Sequence, residues 1–402
     1  MVTYEDIVHA KEVIAPHIIR TPLIYSTTFS EMTGANIYLK LETLQKAGSF
    51  KVRGAIYRIL CRHNEIGEAG VIAASAGNHA QGVAVAARIA GVHATIVMPA
   101  HASLSKQAAT KSYGAEIILK GENLQESIEV ATAIGRGGAT FIHPYNDPDI
   151  IAGQGTIGLE ILEDLHSIDT IIVPIGGGGL ISGIAIAVKA KNPAIRIIGV
   201  QAAACPSAYN AVRKGEMVTV VPGRSVADGI LVPQVGALAL PVIESLVDEI
   251  ILVPEEDIID AILLLLERKK ILAEGAGAVP VAALFNNHIS LPEGSNVVLV
   301  ISGGNVDAPL LSRIINRGLL RKGRIMHITV RLQDVPGSLA GLLSLVAQCE
   351  GNIIDIEHRK DDPGLPLDVV TVDIDIETRG PDHVQEIEQK IREWEFSGRI
   401  GV

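Results

Sequence analysis

Pro174-Ile175-Gly176-Gly177-Gly178-Gly179-Leu180-Ile181-Ser182-Gly183 joins a largely apolar segment, Thr170–Ile175, to a helical pattern over Leu180–Lys191. Four adjacent glycines let backbone N–H groups turn toward one point, and the helix start adds partial positive charge. Together they make a cradle for phosphate. The spacing departs from GxGxxG, which needs glycine at Ile181 or Ser182, and from a Walker loop, which needs lysine followed by Ser or Thr. Alone, the loop also reads as a tight strand–helix turn.

The same alternation extends outward in both directions. Strands are expected at Val71–Ala74, Ala94–Met98, Ala115–Leu119, Ile197–Gln201 and Asn296–Ile301. Helices are expected at Asn78–Ile89, Ser103–Tyr113 and Leu124–Gly135. Apolar runs ending in glycine and alternating with helical patterns predict a wound, mostly parallel α/β sheet, with ligands at the strands' carboxyl ends.

The chain has 402 residues, 48% apolar and 20% charged, which suits two or three globular domains. Aromatics are only 3%, so the core must be built from Ile, Leu, Val and Ala. A net charge of −11 argues against a nucleic-acid or anionic-membrane surface. No run approaches the roughly 18 apolar residues of a membrane span, and the N-terminus does not read as a signal peptide. Cys61, Cys205 and Cys349 are too scattered for a disulfide framework or a CxxC metal site. A cytoplasmic protein without a dedicated metal site is expected.

Three further segments carry candidate chemistry. Lys51 lies in Ser49-Phe50-Lys51-Val52-Arg53-Gly54-Ala55, part of a polar, glycine-containing stretch from Gln45 to Gly54. A lysine acts as a covalent amine only where its charge is suppressed, and Phe50 and small neighbours favour that. In isolation a solvated lysine is the simpler reading, and Arg53 beside it receives no role. Ser75-Ala76-Gly77-Asn78-His79 links a strand to a helix, with open backbone and a Ser75 hydroxyl that could hold a carboxylate. Asn78 could instead be a helix cap. Ser302-Gly303-Gly304-Asn305 follows a strand, where the neutral Ser302 hydroxyl could partner a pyridine nitrogen.

Taken in order and at these separations, the four segments resemble fold-type II (tryptophan synthase β-like) pyridoxal 5'-phosphate enzymes, specifically the threonine and serine dehydratase branch. The resemblance covers about residues 1–320. It implies a two-lobed catalytic domain over 1–318, with a smaller lobe at about 50–150 and the cofactor in the cleft. Lys51 would hold the cofactor covalently and serve as base at Cα. Phe50 would pack beside the ring, and Asn78 would bond the ring hydroxyl. Gly176, Gly177, Gly178, Gly179 and Leu180 would bind the phosphate, and Ser302 would meet the ring nitrogen. Ser75, Ala76, Gly77, Asn78 and His79 would hold the substrate carboxylate.

The implied activity is a carbon–nitrogen lyase: L-threonine to 2-oxobutanoate and ammonia, with L-serine to pyruvate as a side reaction. L-serine dehydratase and serine racemase are the alternatives within the family. Racemases carry a second serine where Ala76 stands here. They also carry acidic cation ligands where Gln201–Ser207 has none. A β-replacing synthase and a non-catalytic amino-acid sensor are the other readings.

The pattern changes near residue 318. A bridge is expected at 319–325, then strands at Met326–Leu332, Asn352–Arg359 and Val369–Ile376 with helices at Leu339–Cys349 and His383–Trp394. That is a split βαβ, ferredoxin-like α+β module over 326–402. It is similar to an ACT regulatory domain. The resemblance implies an allosteric amino-acid site, with isoleucine or valine as effector of an isoleucine-biosynthetic enzyme, and a homo-oligomer, dimer or tetramer. The candidate effector residues are Asp334, Val335, Pro336, Gly337, Ser338 and Leu339, with Asn352, Ile353, Ile354 and Asp355.

Overall fold

The computed structural model describes residues 1–285, 288–360 and 364–394. It divides into two compact units, Met1–Ala308 and Pro309–Val402. The last eight positions expected in the tail module, 395–402, lie outside the described residues.

The first unit contains two sheets. In the larger lobe β1 (Leu23–Tyr25), β2 (Asn36–Leu41), β7 (Thr170–Pro174), β8 (Arg196–Ala202), β9 (Glu249–Val253) and β10 (Asn296–Ile301) assemble in the order β1-β2-β10-β7-β8-β9. All its pairings are parallel except β1 with β2. In the smaller lobe β3 (Val71–Ala74), β4 (Ala94–Met98), β5 (Glu116–Leu119) and β6 (Thr140–Phe141) form the parallel order β5-β4-β3-β6. Strands β3, β4 and β7 are buried throughout. That is why they appear in the sequence as unbroken apolar runs rather than alternating ones. Three segments follow strand carboxyl ends: Ser75 after β3, the glycine loop after β7 and Ser302 after β10.

Lys51 is not in an irregular loop. It opens a helix, Lys51–Cys61, whose residues Val52 to Tyr57 are buried. A second element not read from the sequence is the helix Pro148–Asp164, capped by Asp147 with Pro148 in its first turn. These two helices meet backbone to backbone, because a methyl on Gly153 would lie 2.6 Å from Gly54 Cα. A methyl on Gly183 of the Gly179–Lys191 helix would likewise lie 2.4 Å from the Ile151 carbonyl oxygen.

Beneath this contact lies a buried ion network. Arg53 donates to both oxygens of Glu42 at 2.8 Å and to Glu160 Oε1 at 2.7 Å. Lys40 Nζ donates to Glu160 Oε2 at 2.6 Å and to the Thr21 carbonyl at 2.7 Å. Two cations therefore face two carboxylates, which is how a core accommodates charge. Arg53, given no role from sequence, is the centre of this network, and it ties the lysine-bearing helix to Glu42, just after β2, and to the Pro148–Asp164 helix.

In the second unit a helix, Ala308–Arg321, begins at the unit boundary and leads to β11 (Ile325–Gln333). The bridge expected at 319–325 is thus mostly the end of a helix and the start of a strand, and the division falls about ten residues earlier than expected. With β12 (Asn352–Arg359) and β13 (Val369–Glu377), β11 forms an antiparallel sheet in the order β11-β13-β12. Helices Ser338–Gln348 and Pro381–Trp394 contribute Leu342, Val346, Ile387 and Ile391 to its core.

Candidate active site

Phe50, Lys51, Ser75, Ala76, Gly77, Asn78, His79, Gly176 to Leu180 and Ser302 all line one cavity of about 240 Å³ in the first unit. Residues more than 250 positions apart meet there because β3, β7 and β10 end toward the same cleft.

Lys51 Nζ donates to the Pro144 carbonyl at 2.9 Å and lies 5.2 Å from the Phe50 ring centroid. Burial lowers its pKa to about 8, against a weaker upward pull from Glu274. Among the described residues no carboxylate pairs with it directly, in contrast to Lys40. A half-buried lysine whose amine is desolvated, with a carbonyl but no carboxylate in contact, keeps a substantial neutral fraction near physiological pH.

The glycine loop enters its helix through Gly178, at φ 90°, as N-cap. Side chains would close this turn: a methyl on Gly177 would lie 2.2 Å from Tyr145 Cγ, and one on Gly178 would lie 2.7 Å from Ala239 Cβ. The first-turn amides of that helix have no intrahelical partner, which suits an anion. Bare backbone at a helix start, an amine of weakened charge and the neutral Ser302 across the same cavity are the donor set that pyridoxal phosphate requires.

Asn78 is the first residue of its helix, and Gly77 occupies the cap position. The simple capping role considered for Asn78 therefore does not apply. Its Nδ2 donates to Glu274 Oε1 at 2.5 Å, and its Oδ1 accepts from Asn305 Nδ2 at 2.8 Å. Ser75 Oγ accepts from the Gly77 amide at 3.1 Å, closing the turn. His79 Nε2 donates to the Ile142 carbonyl at 2.9 Å. Burial, then the nearby Lys51 charge, drives its pKa to about 3, so the ring is neutral.

Sequence reasoning missed Glu274, Tyr145, Lys106 and Asp228, which also line the cavity. Asn305 was part of a recognised segment but had no role. Glu274 had a signal: it is a lone acid in Leu272-Ala273-Glu274-Gly275-Ala276-Gly277-Ala278-Val279, an otherwise apolar, small-residue run. It is 6% exposed. Burial and Asp228 raise its pKa to about 7, against Asn78, Lys106 and Lys51.

The candidate effector residues behave differently. Gln333, just before Asp334, pairs with Val369, whereas Asn352 pairs with Glu377, at the other end of β13. At ~3.4 Å per residue the two stretches are about 27 Å apart along the sheet. One chain does not bring them together. Asp334 instead accepts from Lys360 at 2.7 Å, and Asn352 donates to Glu377 at 3.0 Å.

The family model described as pyridoxal-phosphate dependent enzyme matches residues 14–303. The chain is 47% identical to an L-threonine ammonia-lyase of Thermotoga maritima over 97% of both chains. Among solved structures, the processed form of threonine deaminase isoform 2 from Solanum lycopersicum superposes with a TM-score of 0.73 at 34% identity, covering 78% of this chain and 92% of that one. Maize serine racemase superposes with a TM-score of 0.74 at 37% identity, covering 80% and 98%.

Proposed function

The chain belongs to the pyridoxal-phosphate dependent enzyme family, and on that premise we propose that it is an L-threonine ammonia-lyase, converting L-threonine to 2-oxobutanoate and ammonia. The observation that carries this reading is Lys51: an amine near neutrality, lining the same cavity as the glycine loop and Ser302.

The amides of Gly176 to Leu180 would hold the cofactor phosphate, the Ser302 hydroxyl would meet the ring nitrogen and Asn78 would bond the ring hydroxyl, all three lining the one cavity. When bound, the cofactor supplies an electron sink for the charge that develops at Cα. Lys51, whose charge is weakened by burial, would be the residue that holds the cofactor covalently, and its Nζ would be the base that takes the α-proton of the substrate. The open backbone at Ser75 to His79 receives the substrate carboxylate. Ser302, a neutral hydroxyl, would not enforce protonation of the ring nitrogen, and the β-hydroxyl would leave as water. Tautomerisation and hydrolysis then give the 2-oxo acid and ammonia.

L-serine is the side substrate and yields pyruvate. Ala76 puts a methyl in the cavity where racemisation would need a second proton carrier, which supports elimination over racemase activity. Among the described residues no helix is long and apolar enough to cross a membrane. The three cysteines are unpaired, which supports a cytoplasmic setting.

The test is 2-oxobutanoate formation from L-threonine, read with visible absorbance, for the wild type and Lys51→Ala. Activity and a yellow protein in the wild type alone support the assignment. A yellow wild type without 2-oxobutanoate moves the substrate elsewhere, and a colourless inactive one returns the chain to a binding role.

The tail is an ACT-type module that binds an amino-acid effector, isoleucine or valine, in a homo-oligomer. Support comes from its sheet order; because the two candidate stretches lie at opposite ends of β13, a site shared between them would take one stretch from each of two chains. Kinetics and melting temperature unchanged across an isoleucine and valine series would overturn this.

A further inference from the structure

The elimination moves two protons: one is removed at Cα, and one must be delivered to the departing β-hydroxyl. Hydroxide is a poor leaving group, so a donor raises the rate by about 10²–10⁴. Lys51 accounts for the removal only.

Glu274 is placed for the delivery. It lines the cavity that Lys51 lines. It stands at the start of the Gly275–Leu284 helix, with its amide donating to the Gly303 carbonyl at 3.1 Å. Gly303 exists there without a side chain because a methyl would lie 2.5 Å from Glu274 Oε1. Oε1 accepts from Asn78, which Asn305 fixes in turn, and Asn305 is anchored on the Ala47 carbonyl at 2.7 Å. One carboxyl oxygen is therefore locked in a chain of amides. Oε2 has no hydrogen-bond partner among the described residues.

We propose that Glu274 is a catalytic residue: the general acid that protonates the leaving β-hydroxyl through Oε2. The Cβ–O bond breaks, its electron pair stays on oxygen and takes the Glu274 proton, and water departs. The Cα–Cβ double bond forms from the pair left when Lys51 removes the α-proton. Solvent reaching the cavity restores the Glu274 proton after release.

The surroundings suit an acid. The charged groups facing Glu274 are Asp228, which favours its protonated form, and Lys106 and Lys51, which oppose it. Lys106 is itself engaged by Asp228 at 3.1 Å. Burial adds to Asp228, so the carboxyl holds its proton to about pH 7.

The inference rests on the ammonia-lyase reading, and a change of leaving group separates the two. Chloride departs from β-chloro-L-alanine without a proton, whereas water does not depart from L-threonine so easily. For Glu274→Gln we expect about a hundredfold loss or more on L-threonine and less than about a threefold loss on β-chloro-L-alanine. The visible band and melting temperature of the loaded protein should be unchanged. Equal losses on both substrates, or none on either, overturn the proposal. A wild type inactive on both overturns the ammonia-lyase reading instead. If Glu274→Gln does not fold, the wild type decides: the solvent deuterium isotope effect should be larger with L-threonine than with β-chloro-L-alanine, and equal effects overturn the proposal.

Discussion

Lys40, on β2, and Lys51, which opens the next α-helix, meet different surroundings. Lys40 is fully buried and donates to Glu160 and the Thr21 carbonyl, inside a network in which Arg53 donates to Glu42 and Glu160. Lys51 is half-buried and donates to a single carbonyl, that of Pro144. Burial works against Arg53's charge too, but Glu42 and Glu160 outweigh it and raise its pKa above the ordinary value. At Lys51 burial wins. A carboxylate partner makes a desolvated cation a strut, and the lack of one leaves it a reagent.

The hardest blow to this contrast is Lys51→Ala. It should remove 2-oxobutanoate formation by on the order of 10⁴-fold or more, and the yellow colour with it. Residual activity within about tenfold of wild type would show that the amine is not the reagent. Next comes the strut. Arg53→Met leaves Glu42 and a share of Glu160 without compensation, and urea unfolding should show a loss of about 3–5 kcal/mol. A neutral result would mean that the network is structurally idle.

A smaller effect has the opposite sign. In the cofactor-free chain the folded pKa of Lys51 is about 8, below the 10.5 of an ordinary lysine. Between those values the unfolded chain binds the extra proton, so stability rises as pH climbs from about 8 to about 10.5. Below about pH 8 the full cost is present. Lys51→Met should therefore stabilise the cofactor-free chain at about pH 7 by about 1–3 kcal/mol, and the gain should shrink by about pH 10. Melting curves at the two pH values check this. The smallest change concerns the cradle: Gly177→Ala forces Tyr145 aside, and cofactor affinity, read by titration of the cofactor-free protein, should fall about tenfold.

The sequence made the parallel strands legible because β3, β4, β7 and β10 are buried on both faces, so burial leaves an unbroken apolar run. The loops after them were legible because glycine and small residues punctuate them. The helix that carries Lys51 was not. Lys51, Arg53, Gly54 and Arg58 break its apolar pattern, although Arg53 is buried through its ion partners and Gly54 through close approach. The Pro148–Asp164 helix was obscured by Gly153, Gly155 and Gly158, which cost helix propensity but admit neighbouring backbones. Glu274 was obscured because its meaning lies in Asn78 and Gly303, both distant in the chain.

The Gly54–Gly153 contact has a mechanical side. Ordinary helix pairs meet through side chains, which can change rotamer and absorb a small tilt. Here main chain meets main chain, so there is no compliant layer. A tilt of the Pro148–Asp164 helix would reach the first turn of the Lys51–Cys61 helix almost undamped, and with it the reactive nitrogen. The joint works as a key in a slot rather than a cushion. Side-chain repacking nearby should leave the lysine where it is, and displacement of the helix axis should not.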